Sequence, residues 1–394
     1  MKRIYVYVGN HGKQDGIEEY ITLFHSVLGD RGIEVVVSKD LVPDQPNIII
    51  DEFTNCYKNR DLDIFRSRHP STRLIFVLTE FVRSRWGMES FNHFAGLRAS
   101  AILAIFTIFI KKMRRDFPPI TLRDWLLALL FLPLLAFEPF SWAGNYLLRS
   151  IGLKKFSLKT ALNRILSAYH KLLYFHMRYL GLLANLKHAD AIISSHESVI
   201  ESMEGILSST DPRPVFLGVA YSEFDEQCVL EKLMVNKRPF MEVTGSITPE
   251  RQKWIERINA QLRIMGLNHT FDPCQTFSFS RARSGEPGGR GAYSLHPPQT
   301  ATWPYSSPTR IYRALAVDGN LPVLTKWFGQ NPIEDICYIY RDSTSLMDLA
   351  HYYDHREDMR AFVAPRLAEY NLIAKRNNDD MTVRLKRICG FGTE

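Results

Sequence analysis

Four short runs of β-branched, aliphatic and aromatic residues near the start of the chain constrain its fold more than any other feature. Turn-forming residues bound each run, and the four runs are Arg3–Gly9, Ile33–Ser38, Asn47–Asp51 and Arg73–Thr79. Runs of this length and composition are typical of buried strands. Between the first two, residues 16–32 carry apolar side chains at helical spacing. A strand–helix–strand unit of this kind predicts a parallel sheet.

The same alternation returns later in the chain. Asp190–Ser195 is a short apolar run followed by a helical pattern, and Arg238–Ser246 starts a second series of strands. Behind it, Thr248 as N-cap followed by Pro249 and Glu250 predicts the start of a helix. Alternation of this kind over 394 residues predicts an α/β fold with two Rossmann-like lobes. We place the lobes at residues 1–235 and 236–394.

One stretch of the first lobe breaks the alternation and carries the positive charge of the chain. The net charge is +7, and residues 91–189 hold 14 Lys and Arg against 3 Asp and Glu, which leaves 35 against 39 elsewhere. We therefore treat residues 91–187 as a basic, helix-rich insert. Such a segment favours an anionic partner.

The insert also contains the two most apolar runs of the chain, Ala101–Ile110 and Trp125–Phe137. Each is shorter than the ~20 residues that span a bilayer core. The cationic cluster between them consists of Lys111, Lys112, Arg114 and Arg115. Short apolar helices beside Lys and Arg are typical of monotopic attachment to an anionic leaflet, and Trp125 is the expected interfacial aromatic residue. We expect the cytoplasmic face of the inner (plasma) membrane.

Other interpretations of the insert remain open. Apolar runs of this length also form core helices. A transmembrane hairpin is opposed by the short runs and by Pro133. Nucleic acid is not the expected partner, because no zinc-ligand, RRM-like or recognition-helix motif is present.

Cysteine and carboxylate patterns argue against a metal or cofactor. The five cysteines are far apart and form no CxxC pair, which together with the absence of a visible secretion signal favours a reducing compartment. Asp61–Asp63 and Asn377–Asp380 are interpreted as solvated polar faces. We therefore expect a metal-independent activity and no cofactor.

The segment Pro304–Leu324 predicts an anion site. Ser307 is placed to cap a helix whose first residue is Pro308, so that the backbone N–H groups near Thr309 and Arg310 face outward at the positive end of the helix dipole. Helix N-termini of this kind bind phosphate. The guanidinium of Arg310 adds a planar donor fork that suits a diphosphate or a carboxylate.

These segments resemble the GT-B glycosyltransferases, which bind a sugar nucleotide between two lobes. The similarity is carried, in the expected order, by QDGIEEYITLFHSVLGDRGIEVVVS, HADAIISSHESVIESM, VTGSITPERQKWI and SPTRIYRALAVDGNLPVLT, and it leaves out the insert. It implies a retaining-type, sugar-nucleotide-dependent enzyme of bacterial surface polysaccharide or lipid-linked glycan assembly. The expected donor-binding residues are Gly245, Ser246, Arg251, His296, Ser307, Thr309, Arg310 and Arg313.

Arg313 is a departure from the family pattern. The retaining members commonly place a Glu there that contacts the donor ribose. The resemblance therefore does not imply ribose recognition by Arg313. A more negative donor, or a binding mode like that of cytidine monophosphate sugars, suits an Arg better.

An inverting reaction needs a general base at the cleft. Glu80 follows a strand at the carboxyl edge of the first sheet, where open α/β sheets place functional groups, and His11 and Asp15 lie in the first strand–helix loop. His196 and Glu197 follow a later strand in the same way. The choice among them, and between inversion and retention, stays open.

The sequence thus predicts a membrane-associated glycosyltransferase, hexosyltransferase-like, that moves a sugar from a nucleotide-sugar to a lipid-linked glycan in polysaccharide biosynthesis. Two alternatives remain. One is a membrane-peripheral scaffold of GT-B shape without turnover, which Arg313 favours. The other is a soluble enzyme of the same fold that acts on a small molecule or a protein.

Overall fold

The computed structural model describes residues 2–9, 17–50, 59–79, 122, 182, 185–208, 210, 212–235, 237–244, 248–267, 272–277, 291–298, 306–326, 329 and 331–392. Its strands are β1 (Lys2–Tyr7), β2 (Ile33–Ser38), β3 (Asn47–Ile50), β4 (Leu74–Leu78), β5 (Ala191–Ser194), β6 (Val215–Val219), β7 (Arg238–Thr244), β8 (Asp272–Phe277), β9 (Gly291–His296), β10 (Leu321–Leu324) and β11 (Tyr338–Ile339). Its helices are α1 (Glu18–Gly29), α2 (Asn59–Arg68), α3 (Glu197–Leu207), α4 (Glu226–Met234), α5 (Pro249–Ile264), α6 (Pro308–Ala316), a 3₁₀ helix η1 (Pro332–Ile336), α7 (Thr344–Asp354) and α8 (Arg356–Ile388).

These strands form two parallel sheets with the same winding. The first has the order β2-β1-β3-β4-β5-β6 and the second the order β11-β10-β9-β7-β8. In both sheets the second strand lies on one side of the first strand, and the third and later strands lie on the other side, as in doubly wound folds. The predicted α/β class and the two parallel sheets are confirmed. The exact division at residue 235 stays a prediction; the first sheet ends at Val219 and the second begins at Arg238.

Apart from Asn47 and Ser194, the central strands β3, β4 and β5 of the first sheet consist of apolar residues, as expected when both faces of a sheet are covered. Successive side chains of a strand point to opposite faces of the sheet, so the side chains of one strand pack in two hydrophobic cores. Ile48, Ile50, Ile75 and Val77 join one apolar cluster with α1, while Ile49, Leu74, Phe76 and Leu78 join another with α2 and α3. Each fully buried aliphatic side chain contributes about 1.5–3 kcal/mol.

The long helix α8 joins the two lobes. It begins at Arg356, ends at Ile388 and contains Pro365. Leu367 and Tyr370 pack in the core of the second sheet, whereas Met381 and Leu385 pack in a core of the first. At the first sheet α8 lies directly on β6, where Gly218 has φ +147° and an added Cβ would stand 3.3 Å from Met381 Cβ.

Two asparagines of α8 hold the segment that connects the lobes. Asn378 Oδ1 accepts from Tyr221 N at 3.0 Å, and its Nδ2 donates to Tyr221 O at 2.8 Å. Asn371, two turns earlier on the same face, makes the same pair of bonds with Phe224 N and O at 2.9 and 3.0 Å. The interpretation of Asn377–Asp380 as a solvated face was wrong for Asn378, which is fully buried.

Of the predicted membrane insert at residues 91–187, the structure describes residues 122, 182 and 185–187, whereas Lys111, Lys112, Arg114, Arg115 and Trp125 lie outside the described residues. Leu182 and Leu186 are buried in a core of the first sheet. Within the part of the chain that the structure describes, no helix is both long enough and apolar enough to cross a bilayer.

Candidate functional site

The candidate site lies at the carboxyl edge of the second sheet, where β7 and β9 are neighbours. The chain leaves β7 to enter α5 and leaves β9 to reach α6, so both helices follow the two strands that flank the switch point. Open α/β sheets bind ligands in the crevice at such a point. Two helix N-termini there bring partial positive charge to the same edge.

Helix α6 begins where the sequence predicted, at Pro308, with Ser307 at the N-cap position. The predicted side-chain cap is wrong, because Ser307 makes no capping hydrogen bond. Its hydroxyl instead lies 2.8 Å from the hydroxyl of Thr309, which is buried. The N-cap prediction at Thr248 is confirmed, since its hydroxyl accepts from Arg251 N at 3.3 Å.

Three of the predicted donor-binding side chains form one cationic cluster: the buried Arg251 in the first turn of α5, the buried His296 at the end of β9 and the half-buried Arg310 in the first turn of α6. Burial and the charge of Arg310 lower the pKa of Arg251 to about 10. Burial also lowers the pKa of Arg310, against the raising effect of Glu19 and Tyr20.

The imidazole of His296 is neutral at physiological pH. Burial, together with the charges of Arg310 and Arg251, lowers its pKa to about 3. Its Nε2 atom is buried and has no hydrogen-bond partner within the described part of the chain. The same holds for the hydroxyl of Thr325, which follows Leu324, the β10 residue that pairs with His296. Buried polar atoms without partners cost free energy unless a ligand satisfies them.

Arg313, one turn after Arg310, contacts carboxylates. Its Nε lies 3.7 Å from Asp318 Oδ2, and its Nη1 lies 4.0 Å from Glu19 Oε1 on α1 of the first lobe. The side chain therefore bridges the two lobes as well as lying near the proposed donor site. Sequence reasoning did not identify Asp318 or Glu19 as its partners, and only the fold brings them to it. A donor-binding role for Arg313 stays a prediction.

Several predicted site residues are not described by the structure. Among the donor residues these are Gly245 and Ser246, and among the candidate bases they are Glu80, Asp15 and His11. Their roles stay predictions. Gly9, just before the loop with His11 and Asp15, is described, and an added Cβ there would stand 2.0 Å from Lys39 O, so only glycine fits.

On the first lobe, the residues after β5 form a second polar group. His196 is buried, its Nδ1 accepts from Ser198 N at 3.0 Å, and burial lowers its pKa to about 4. Burial raises the pKa of Glu197 to about 7, and the negative charges of Glu334 on η1 and of Glu201 raise it further. The hydroxyl of Tyr221 donates to Glu197 Oε1. Sequence reasoning missed Tyr221 and Glu334, since neither belongs to a motif.

Among the residues that the structure describes, no group of three or more His, Cys, Asp or Glu side chains is arranged to hold a metal ion.

Neither a family model nor a curated protein sequence matches this chain. Among solved structures, it is similar to a mutant of T4 phage BGT in complex with UDP-glucose, with a TM-score of 0.41 and 9% identity over 99% of both chains. It is also similar to alpha,alpha-trehalose 6-phosphate synthase from Burkholderia multivorans, with a TM-score of 0.36 and 11% identity over 99% of this chain and 98% of that one. At TM-scores below 0.5 the likeness is distant, and the function of this chain is therefore inferred from its own residues.

Proposed function

We propose that the protein is a glycosyltransferase that takes a sugar from a nucleotide-sugar and passes it to a lipid-linked glycan. One observation carries the donor half of the proposal: Arg251 and His296, both buried, and the half-buried Arg310 lie together beside the N-terminus of α6, at the switch point of a parallel sheet. Buried cations that repel one another destabilise the free protein, and a bound diphosphate would relieve that repulsion.

The cluster supplies what the departing group of a glycosyl transfer needs. When the bond from the anomeric carbon to the phosphate breaks, negative charge develops on the leaving nucleotide, and fixed donors in a dry site stabilise it. Arg310 and Arg251 provide charge, and the neutral His296 provides a hydrogen bond without further repulsion. With these groups present, we expect no metal or cofactor to be required.

The acceptor half of the proposal rests on sequence. The apolar runs and basic cluster of residues 91–187 suit attachment to an anionic leaflet, which places the enzyme on the cytoplasmic face of the inner membrane beside a lipid-linked acceptor. A polysaccharide biosynthetic role follows from such an acceptor. A soluble enzyme of the same fold is the alternative if the insert binds no lipid.

Nucleotide binding and nucleotide release test the donor half. Isothermal titration with UDP, GDP, CMP and dTDP should identify one tight ligand, and release of that nucleotide from its sugar conjugate should continue in EDTA. Replacing Arg310 by Gln should weaken binding by about 30-fold or more, as expected when one partner of a buried charge pair is lost. The exposed Arg263, in the last turn of α5, is the matched control.

Arg263→Gln should leave the affinity unchanged. Equal losses in both variants, or no binding of any of the four nucleotides, would contradict the donor site. Tight binding without any release of nucleotide would support the scaffold alternative instead.

A further inference from the structure

Glu197 belongs to the first lobe and lies near the second lobe. It is the first residue of α3 and follows β5, so it lies at the carboxyl edge of the first sheet. The negative charge of Glu334, which belongs to η1 of the second lobe, contributes to the raised pKa of the Glu197 carboxyl group. A carboxylate of the second lobe is therefore close enough to Glu197 to disfavour its charged form.

The two oxygens of this carboxyl group have different environments. Oε1 accepts a hydrogen bond from the hydroxyl of Tyr221, in the segment that connects the lobes. Oε2 is buried and has no hydrogen-bond partner within the described residues. The nearest ring nitrogen, His196 Nδ1, is 3.9 Å away and already accepts from Ser198 N. One oxygen is therefore held in place, and the other lacks, within the described residues, a hydrogen bond that the hydroxyl of an acceptor would supply.

A chain of aromatic rings connects this carboxyl group to the donor site. Tyr221 packs edge-on against Tyr370 of α8, with ring centroids 6.4 Å apart. Tyr370 packs against Phe224 at 5.4 Å, and Phe224 packs against Tyr312 of α6 at 4.9 Å. Arg310, two residues before Tyr312, belongs to the cationic cluster. The same rigid packing therefore positions both Glu197 and the helix proposed to hold the donor phosphates.

We propose that Glu197 is the general base that accepts the proton of the attacking hydroxyl. This proposal rests on the proposed glycosyl transfer. The acceptor oxygen forms a bond to the anomeric carbon, the bond from that carbon to the phosphate oxygen breaks, the hydroxyl proton moves to Glu197 Oε2, and the nucleotide leaves with the electron pair. In the absence of acceptor, water takes its place. Such a displacement inverts the anomeric configuration.

The groups around Glu197 predict its pH behaviour. Burial and the negative charges of Glu334 and Glu201 disfavour the charged form of Glu197, whereas its own backbone N–H and the Tyr221 O–H stabilise that form. His196 stays neutral because burial lowers its pKa to about 4. Tyr370 is buried near Glu197 and has a raised pKa, so it is uncharged as well. Nucleotide release should therefore increase as the pH rises through about 7.

The test is the pH profile of nucleotide release, with UDP-glucose, GDP-mannose, dTDP-rhamnose and CMP-N-acetylneuraminate as probes. Glu197→Gln keeps the bond from Tyr221 and should lower kcat by about 10²–10⁴-fold, while the nucleotide Kd changes by less than about threefold. Glu204→Gln, an exposed carboxylate on the same helix, is the control and should change neither value.

Two further variants separate a base from a structural residue, because they should shift the profile in opposite directions. Glu334→Gln removes a like charge and should move the midpoint to lower pH. Tyr221→Phe removes a hydrogen bond to the charged form and should move it to higher pH.

A Glu197→Gln variant with wild-type kcat at every pH, or profiles that do not move in opposite directions, would overturn the role of Glu197 while leaving the donor site intact. A wild-type protein that binds nucleotide but releases none from any probe would overturn the proposed transfer, and this role with it. The titration of nucleotide binding distinguishes the two failures.

Discussion

The carboxyl edges of the two sheets have the same strand order but opposite electrostatics. At the second sheet, burial lowers the pKa of His296, and the positive charges of Arg310 and Arg251 lower it further. At the first sheet, burial raises the pKa of Glu197, and the negative charges of Glu334 and Glu201 raise it further. The winding of the chain creates a crevice in each lobe, whereas the side chains after each strand decide its chemistry. The carboxyl edge of the second sheet suits the binding of an anionic leaving group, and that of the first sheet suits the acceptance of a proton by a carboxylate.

The largest expected effect concerns which lobe meets the membrane. Replacing Lys111, Lys112, Arg114 and Arg115 together by Gln should weaken binding to vesicles of phosphatidylglycerol by about 100-fold or more, since each basic residue near an anionic surface contributes roughly 1 kcal/mol. Flotation of wild type and variant measures this. The same number of substitutions on the second lobe, at the exposed Lys253, Arg257, Arg263 and Arg360, is the control. Equal loss in both variants would remove the distinction between the lobes.

The next effect concerns the connection between the two edges. Asn378→Ala removes bonds to Tyr221 N and O and to Glu223 Oε1 in a buried position. It should lower the free energy of unfolding by about 3 kcal/mol because buried backbone groups lose their partners. Urea unfolding measures the change. Asn377→Ala, at an exposed neighbour bonded only within its own helix turn, should cost less than about 0.5 kcal/mol.

The two edges should also give opposite dependences of stability on pH. The folded-state pKa of His296 lies below its ordinary value, so the contribution of this residue to the stability of the folded protein is lost as the pH falls from 6.5 toward about 3. The folded-state pKa of Glu197 lies above its ordinary value, so the contribution of this residue to the stability of the folded protein is lost as the pH rises from 4.5 through about 7.

As the pH falls from about 8 to 5, the free energy of unfolding of His296→Gln should therefore increase by roughly 2 kcal/mol relative to that of wild type. For Glu197→Gln, a similar increase relative to wild type is expected as the pH rises from about 5 to 8. Urea unfolding at both pH values checks this. Parallel slopes in the two variants would show that the electrostatic contrast between the edges is wrong.

The smallest effect on stability concerns the ion pair that links the edges. Arg313 and Glu19 are about a quarter exposed and 4.0 Å apart, so Arg313→Ala should change stability by less than about 1 kcal/mol. Its informative readout is donor choice. If Arg313 contacts the donor, Arg313→Glu should change the order of preference in a competition assay among nucleotide sugars, and an unchanged order would show that the residue serves only the lobe contact.

Local patterns were sufficient to predict the helices and strands near the site, but not every contact. The apolar runs of β1 to β4 and the start of α6 at Pro308 follow from residue types alone. Arg251, His296 and Arg310 were each predicted, since each lies at the end of a strand or the start of a helix. The missing side-chain cap of Ser307 was not predictable, because the nearby Thr309 hydroxyl competes for it.

The sequence by itself determined the fold class, since the spacing of apolar residues decides which segments become strands and which become helices. It also determined the uneven charge of the first lobe and the residues that a helix N-terminus would offer to a phosphate. Only the tertiary structure decided that Arg251 and Arg310 share one buried cluster, that α8 joins the lobes, and that Glu334 raises the pKa of Glu197. Arg251 and Arg310 are 59 residues apart in sequence, and Glu197 and Glu334 are 137 residues apart. A pKa depends on burial and on distances in space, which the spacing of residues along the chain does not encode.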